Sequence, residues 1–128
     1  MNNPIAKWHE AVETKNMSIL DEILAEDVTF HSPVVFKPIQ GKAMTQLYLG
    51  AASVVLDNEH FKYVKEIIGE RSAALEFTTE IEGVFIDGLD LIEWNESGKM
   101  TEFKVFIRPL QAVNKLHEKM MAMLEQMK

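Results

Sequence analysis

Near Asn58 the hydrophobic period of this chain changes, and that change limits the folds open to it. Upstream, apolar residues recur three and four apart; downstream, Glu59 to Ile68, Ser72 to Ile81, Phe85 to Trp94 and Met100 to Arg108 each read as strands. A period of two marks a strand with one buried face. The intervening Gly69-Glu70-Arg71, Glu82-Gly83 and Asn95-Glu96-Ser97-Gly98 are turn compositions, so each strand is expected to return beside the last as an antiparallel meander.

The flanking segments read as helices. Ile5, Trp8 and Val12 between Pro4 and Lys15 fall on one helical face, with Pro4 suited to the first turn. Ser18 followed by Asp21 matches a capping box for a second helix that buries Ile19, Leu20, Ile23 and Leu24 and ends before Glu26-Asp27. Val28 to Ser32 predicts a short strand stopped by Pro33, and a loop runs on to Pro38. Ala43, Met44, Leu47, Tyr48, Ala51, Val54 and Val55 predict a third helix ending near Asp57-Asn58. Val113, Leu116, Met120, Met123 and Met127 predict a C-terminal helix after Pro109. Helices first, then a curved meander, make an α+β plan with helices over one face of the sheet. The 128 residues, 47% of them hydrophobic, suit a single domain with room for a core or a small enclosed pocket.

One carboxylate interrupts the alternation. In the strand from Phe85 to Trp94, Ile86, Gly88, Asp90, Ile92 and Trp94 share a face that is apolar except for Asp90. Ala73, Leu75, Phe77, Thr79 and Ile81 in the strand before, and Thr101, Phe103, Val105 and Ile107 in the strand after, form matching apolar sets. Continuity across the hairpins therefore points Asp90 toward Phe77, Phe103 and Val105 on the concave side. Four readings stay open: a satisfied core carboxylate, a protonated donor to a developing oxyanion, a general acid or base, or a register that returns it to water.

Composition excludes several classes. A net charge of -7 without a basic cluster disfavours nucleic acid. The absence of cysteine removes disulfides and thiolate chemistry, and no stretch approaches a membrane span or a secretory leader, so a cytoplasmic protein is expected. His9, His31, His60 and His117 lack metal-ligand spacing, and there is no nucleophile elbow, phosphate loop or dinucleotide fingerprint. No metal or cofactor is expected. His31, beside Ser32 at the end of the first strand, is a candidate base near a cavity mouth, or a rim histidine bonded to backbone. Trp8, Phe36, Tyr48, Phe77 and Phe103, with Val105 and Ile107, are candidate walls for a flat apolar ligand, or plain core. Phe85, Leu89, Leu91 and Phe106 lie among the charges of the opposite, convex face, where a self-complementary homodimer interface would account for them.

The order of elements, with the runs Ala25-Glu26-Asp27-Val28-Thr29-Phe30-His31-Ser32-Pro33, Pro38-Ile39-Gln40-Gly41 and Leu89-Asp90-Leu91-Ile92-Glu93-Trp94-Asn95-Glu96-Ser97-Gly98, resembles the NTF2-like superfamily in its SnoaL-like and ketosteroid-isomerase-like branch. The resemblance covers nearly the whole chain and implies a cone of curved sheet closed by helices over a pocket. Laid against a ketosteroid isomerase, Asp90 matches the oxyanion-hole aspartic acid, a carboxyl that the apolar site keeps neutral. The general-base aspartate falls at Ser32 and the oxyanion-hole tyrosine at Trp8, so both partners differ. The resemblance thus implies a cyclase- or isomerase-type acid–base enzyme for a polyketide- or steroid-like substrate, with Asp90, His31 and Ser32 as site residues. Its alternative is a non-catalytic module that binds an apolar ligand or another protein.

Overall fold

A computed structural model of the chain describes residues 3–126. Helix α1 (Ile5–Thr14) starts where Asn3 Oδ1 accepts the Ile5 N–H at 2.8 Å, and ends at Lys15, whose φ of 58° closes the helix in the left-handed region. A short 3-10 turn (Met17–Ile19) leads into α2 (Leu20–Ile23). The expected Ser18 capping box is not formed: Asn16 is the cap, its Oδ1 accepting the Ser18 N–H at 3.2 Å. The helix is correspondingly shorter, and strand β1 (Leu24–His31) begins at Leu24, where the backbone turns extended.

After β1 come β2 (Ile39–Gln40), α3 (Lys42–Leu56), β3 (Lys62–Ile68), β4 (Ser72–Ile81), β5 (Val84–Trp94), β6 (Met100–Arg108) and α4 (Leu110–Gln126). The expected meander is present as β3 to β6, all antiparallel, although β3 begins at Lys62 because 59–61 form a turn. Strand β1 then pairs in parallel with β6, so the six strands run β2-β1-β6-β5-β4-β3 in one curved sheet. Met127 lies outside the described residues; Ala112, Leu116 and Met120 form the buried stripe of α4.

All five inward residues of β4 and all five of β5 are buried, Asp90 among them. Strand β6 departs from the alternation at its start. Trp94 pairs with Met100 and Glu93 with Glu102, which leaves Thr101 as the extra residue of a bulge; Met100, not Thr101, is buried beside Phe103. Two apolar clusters fill the concave side: Trp8, Leu24, Phe30, Ile92 and Phe103 under α1 and α2, and Phe77, Ile81, Ile86, Leu116 and Met120 under α3 and α4. Tyr63 of β3 packs against both. No helix among the described residues is long and apolar enough to cross a membrane.

Candidate functional site

The seam between the two clusters holds a cavity of about 60 Å³, walled by Trp8, Phe30, Phe77 and Phe103 with Asp90 in its lining. Asp90 is only 5% exposed, set by its pairing with Leu75 on one side and Val105 on the other. Among the described residues its carboxyl has one hydrogen-bond partner: Tyr63 donates to Oδ2 at 2.7 Å, and the Tyr63 hydroxyl in turn accepts from Trp8 Nε1 at 2.8 Å. The relay therefore runs from helix α1 through β3 to β5.

Burial disfavours the carboxylate form and pushes Asp90 from 3.8 up to about 7, and the Tyr63 hydrogen bond pulls the other way. Tyr63 is held well above its ordinary value, first by burial and then by the neighbouring Asp90 charge, so it stays a phenol and a donor. Its single proton is committed to Oδ2. Among the described residues the second oxygen of Asp90 has no hydrogen-bond partner, and near neutrality a large fraction of Asp90 carries a proton.

Aromatic packing fixes these groups. Trp8 meets Phe103 edge-on at 4.9 Å, Phe61 stacks on Phe77 at 5.1 Å, and Tyr63 stands edge-on to Phe61 at 5.2 Å. Phe77 lies directly over Gly88, its partner across the β4–β5 ladder, so closely that a Cβ on Gly88 would sit 2.1 Å from Cζ of the ring. The glycine is required by that approach.

A wider cleft of about 470 Å³ opens beside the cavity, bordered by His9, Glu13 and Lys62. Val12, Asp57, Phe61 and Tyr63 line both spaces and form the neck between them. Asp57 follows α3 immediately. Its Oδ2 is buried without a hydrogen-bond partner, and burial raises its pKa against the opposing pull of Lys15.

The structure brings Trp8, Ser32, Phe77, Asp90, Phe103 and Val105 to the cavity. It does not bring His31 there. Val28 and Phe30 are the inward residues of β1, which turns Thr29 and His31 outward, and His31 Nε2 lies 3.9 Å from Glu102 on that outer side. Phe36 is 100% exposed, in the loop between the prolines. Tyr48 packs against the core beside Phe30, and Ile107 against the cluster under α4, neither of them reaching the cavity lining. The Ser32 hydroxyl accepts the Val34 N–H at 3.2 Å.

Sequence reasoning missed Tyr63 and Asp57. Tyr63 sits on an edge strand whose alternation is broken by a bulge between Tyr63 and Lys65, so its face is not readable by counting. The available signal was chemical: a tyrosine beside Phe61 on a mostly exposed strand needs a partner for its hydroxyl once buried. Asp57 read as a helix stop.

None of the curated proteins matches this sequence. Among solved structures, a steroid delta-isomerase from Pseudomonas aeruginosa superposes with a TM-score of 0.91 at 28% identity, over 95% of this chain and 89% of that one. A protein of cystatin-like fold from Silicibacter pomeroyi gives 0.87 at 33% identity, over 95% and 85%. An epoxide hydrolase/cyclase-like enzyme of pyran ring formation in salinomycin shares the fold, at TM-score 0.63 and 16% identity, over 81% and 87%. The SnoaL-like domain matches residues 5–103, so the chain belongs to the SnoaL-like family, in the steroid-isomerase-like branch of the NTF2-like superfamily.

Proposed function

We propose that this protein is an acid–base enzyme of the isomerase or cyclase type, acting on an apolar carbonyl compound whose oxygen docks on Asp90. The observation that carries this reading is the Trp8–Tyr63–Asp90 relay, which ends at an apolar cavity with one oxygen of Asp90 unused. A carboxyl held near neutrality by burial donates to an oxygen that gains negative charge, and the donation is stronger in the transition state than in the ground state. The inner cavity of about 60 Å³ has room for a carbonyl end alone, whereas the cleft of about 470 Å³ falls within the size range of ligand pockets. A ring compound of the polyketide or steroid kind thus fits with its carbonyl inside the neck and its bulk outside. The similarity to the Pseudomonas aeruginosa steroid delta-isomerase supports the same assignment.

A non-catalytic binding module is the second reading, favoured by Ser32, which stands where a carboxylate base would be and holds the Val34 N–H. Two probes separate them. A naphthol, whose ionised oxygen imitates an enolate, should bind with fluorescence quenching and lose affinity in Asp90→Asn and Tyr63→Phe. A β,γ-unsaturated cyclic ketone should be converted to its conjugated isomer, followed by ultraviolet absorbance. Naphthol binding without turnover of any such ketone favours the binding module; no binding at all removes the pocket reading.

A further inference from the structure

We propose that Asp57 is the general base of this pocket, the carboxylate that Ser32 does not supply, working beside the Trp8–Tyr63–Asp90 relay; the assignment rests on the acid–base reading above. Four observations carry it. Asp57 lines the inner cavity that holds Asp90 and the outer cleft together. Its Oδ2 is buried and accepts no hydrogen bond, although an ionised carboxylate has room for several. It follows directly on the C-terminal end of α3, where unpaired carbonyls make a negative charge unfavourable, so neither capping nor the helix dipole explains an aspartate there. Its turn is also fastened to the sheet: Asn58 Nδ2 donates to the Glu80 carbonyl at 2.9 Å, and the Thr79 hydroxyl lies 3.2 Å from the Leu56 carbonyl and 3.1 Å from Asn58 Oδ1. A buried carboxyl oxygen left without a hydrogen bond, on a turn fastened in this way, is placed for a ligand.

The electrostatics divide the roles. Burial raises both carboxyls, Asp90 to about 7 and Asp57 by less, with Lys15 pulling against the rise at Asp57. Two carboxyls whose surroundings push their proton affinities apart are an acid and a base. In the step itself, Asp57 Oδ2 takes a proton from the carbon next to the carbonyl. The C–H electron pair becomes the new C=C bond, and the carbonyl π pair moves onto oxygen, where the Asp90 proton stabilises it. Return of the proton from Asp57 to the γ-carbon of an unsaturated ketone completes an isomerisation with no change of oxidation state.

The test uses the 128-residue chain and the two probes already named, with exchange of the ketone's α-protons for deuterium followed by NMR. Asp57→Asn should lower exchange by at least about 100-fold, the usual contribution of a positioned base. The same variant should still bind the naphthol, and more tightly than the unaltered protein, because a negative charge near the ionised oxygen is gone. In Asp57→Ala, added acetate should restore part of the exchange rate, which a structural role would not allow; thermal melts of both variants establish that they are folded. Exchange that survives in Asp57→Asn, or a wild type that binds the naphthol but exchanges nothing, overturns the assignment of Asp57 while leaving the pocket reading standing. Failure of the naphthol to bind the wild type overturns both.

Discussion

Asp90 carries two consequences that can be measured separately. Its proton affinity is raised in the folded protein, so between pH 3.8 and about 7 the native state holds a proton that the unfolded chain has released. The folded state binds more protons in that window, and stability must therefore fall as pH rises through it, by an amount on the order of 4 kcal/mol for a shift of this size. Asp90→Asn keeps an acceptor for the Tyr63 hydroxyl but has nothing to ionise, so urea denaturation at the two ends of the window should show this slope abolished. Tyr63→Phe acts on the same carboxyl in the opposite sense. It removes the hydrogen bond that lowers the Asp90 pKa, so the Asp90 midpoint followed by carbon NMR should move above about 7. It also strands the Trp8 indole N–H, a buried donor whose loss of partner costs about 1–3 kcal/mol. The inward direction of Asp90 was legible because ten residues of β4 and β5 alternate without a fault, whereas its partner was not, because hydrogen-bond partners across |i−j| of 27 residues leave no local trace.

At the level of elements, Gly88 decides how close β5 and the ring of Phe77 on β4 can come. In Gly88→Ala the new methyl would meet three ring atoms at 2.1 to 2.6 Å, so the buried Phe77 ring must shift into the cavity it walls. We expect a loss of about 1–3 kcal/mol by thermal or urea denaturation, the ordinary cost of overpacking, together with weaker naphthol binding as Phe77 is pressed toward Phe61 and Tyr63. The element order itself is readable from the sequence: two helical segments, a short strand, a third helix, a meander and a closing helix stand in the predicted order, with the two-residue β2 added where a loop is predicted. What was not readable came from irregularities. The bulge between Glu93 and Trp94 displaced Thr101 from the inner face, and the parallel pairing of β1 with β6 joins segments far apart in the chain. His31 is different, since the alternation of Val28 and Phe30 in the sequence already implies an outward side chain.

For the whole molecule, the convex face raises the question of a partner. Ile67, Phe85 and Phe106 are 60%, 55% and 47% exposed there, on strands β3, β5 and β6. We expect two copies to cover this face in an isologous dimer, and Phe106→Glu to give the monomer mass in light scattering while the naphthol still binds. A single monomeric species for the unaltered chain would refute this. The neck between the inner cavity and the outer cleft bears on how such a protein changes over evolutionary time. On the function proposed above, a carbonyl end meets Trp8, Tyr63 and Asp90 and the remainder of a ligand meets His9, Glu13 and Lys62, a separate and largely surface set. Residues at that outer border can be exchanged at little cost to folding. Substrate range can therefore drift there while the proton chemistry is inherited unchanged, so two relatives that share the relay can differ entirely in what they accept.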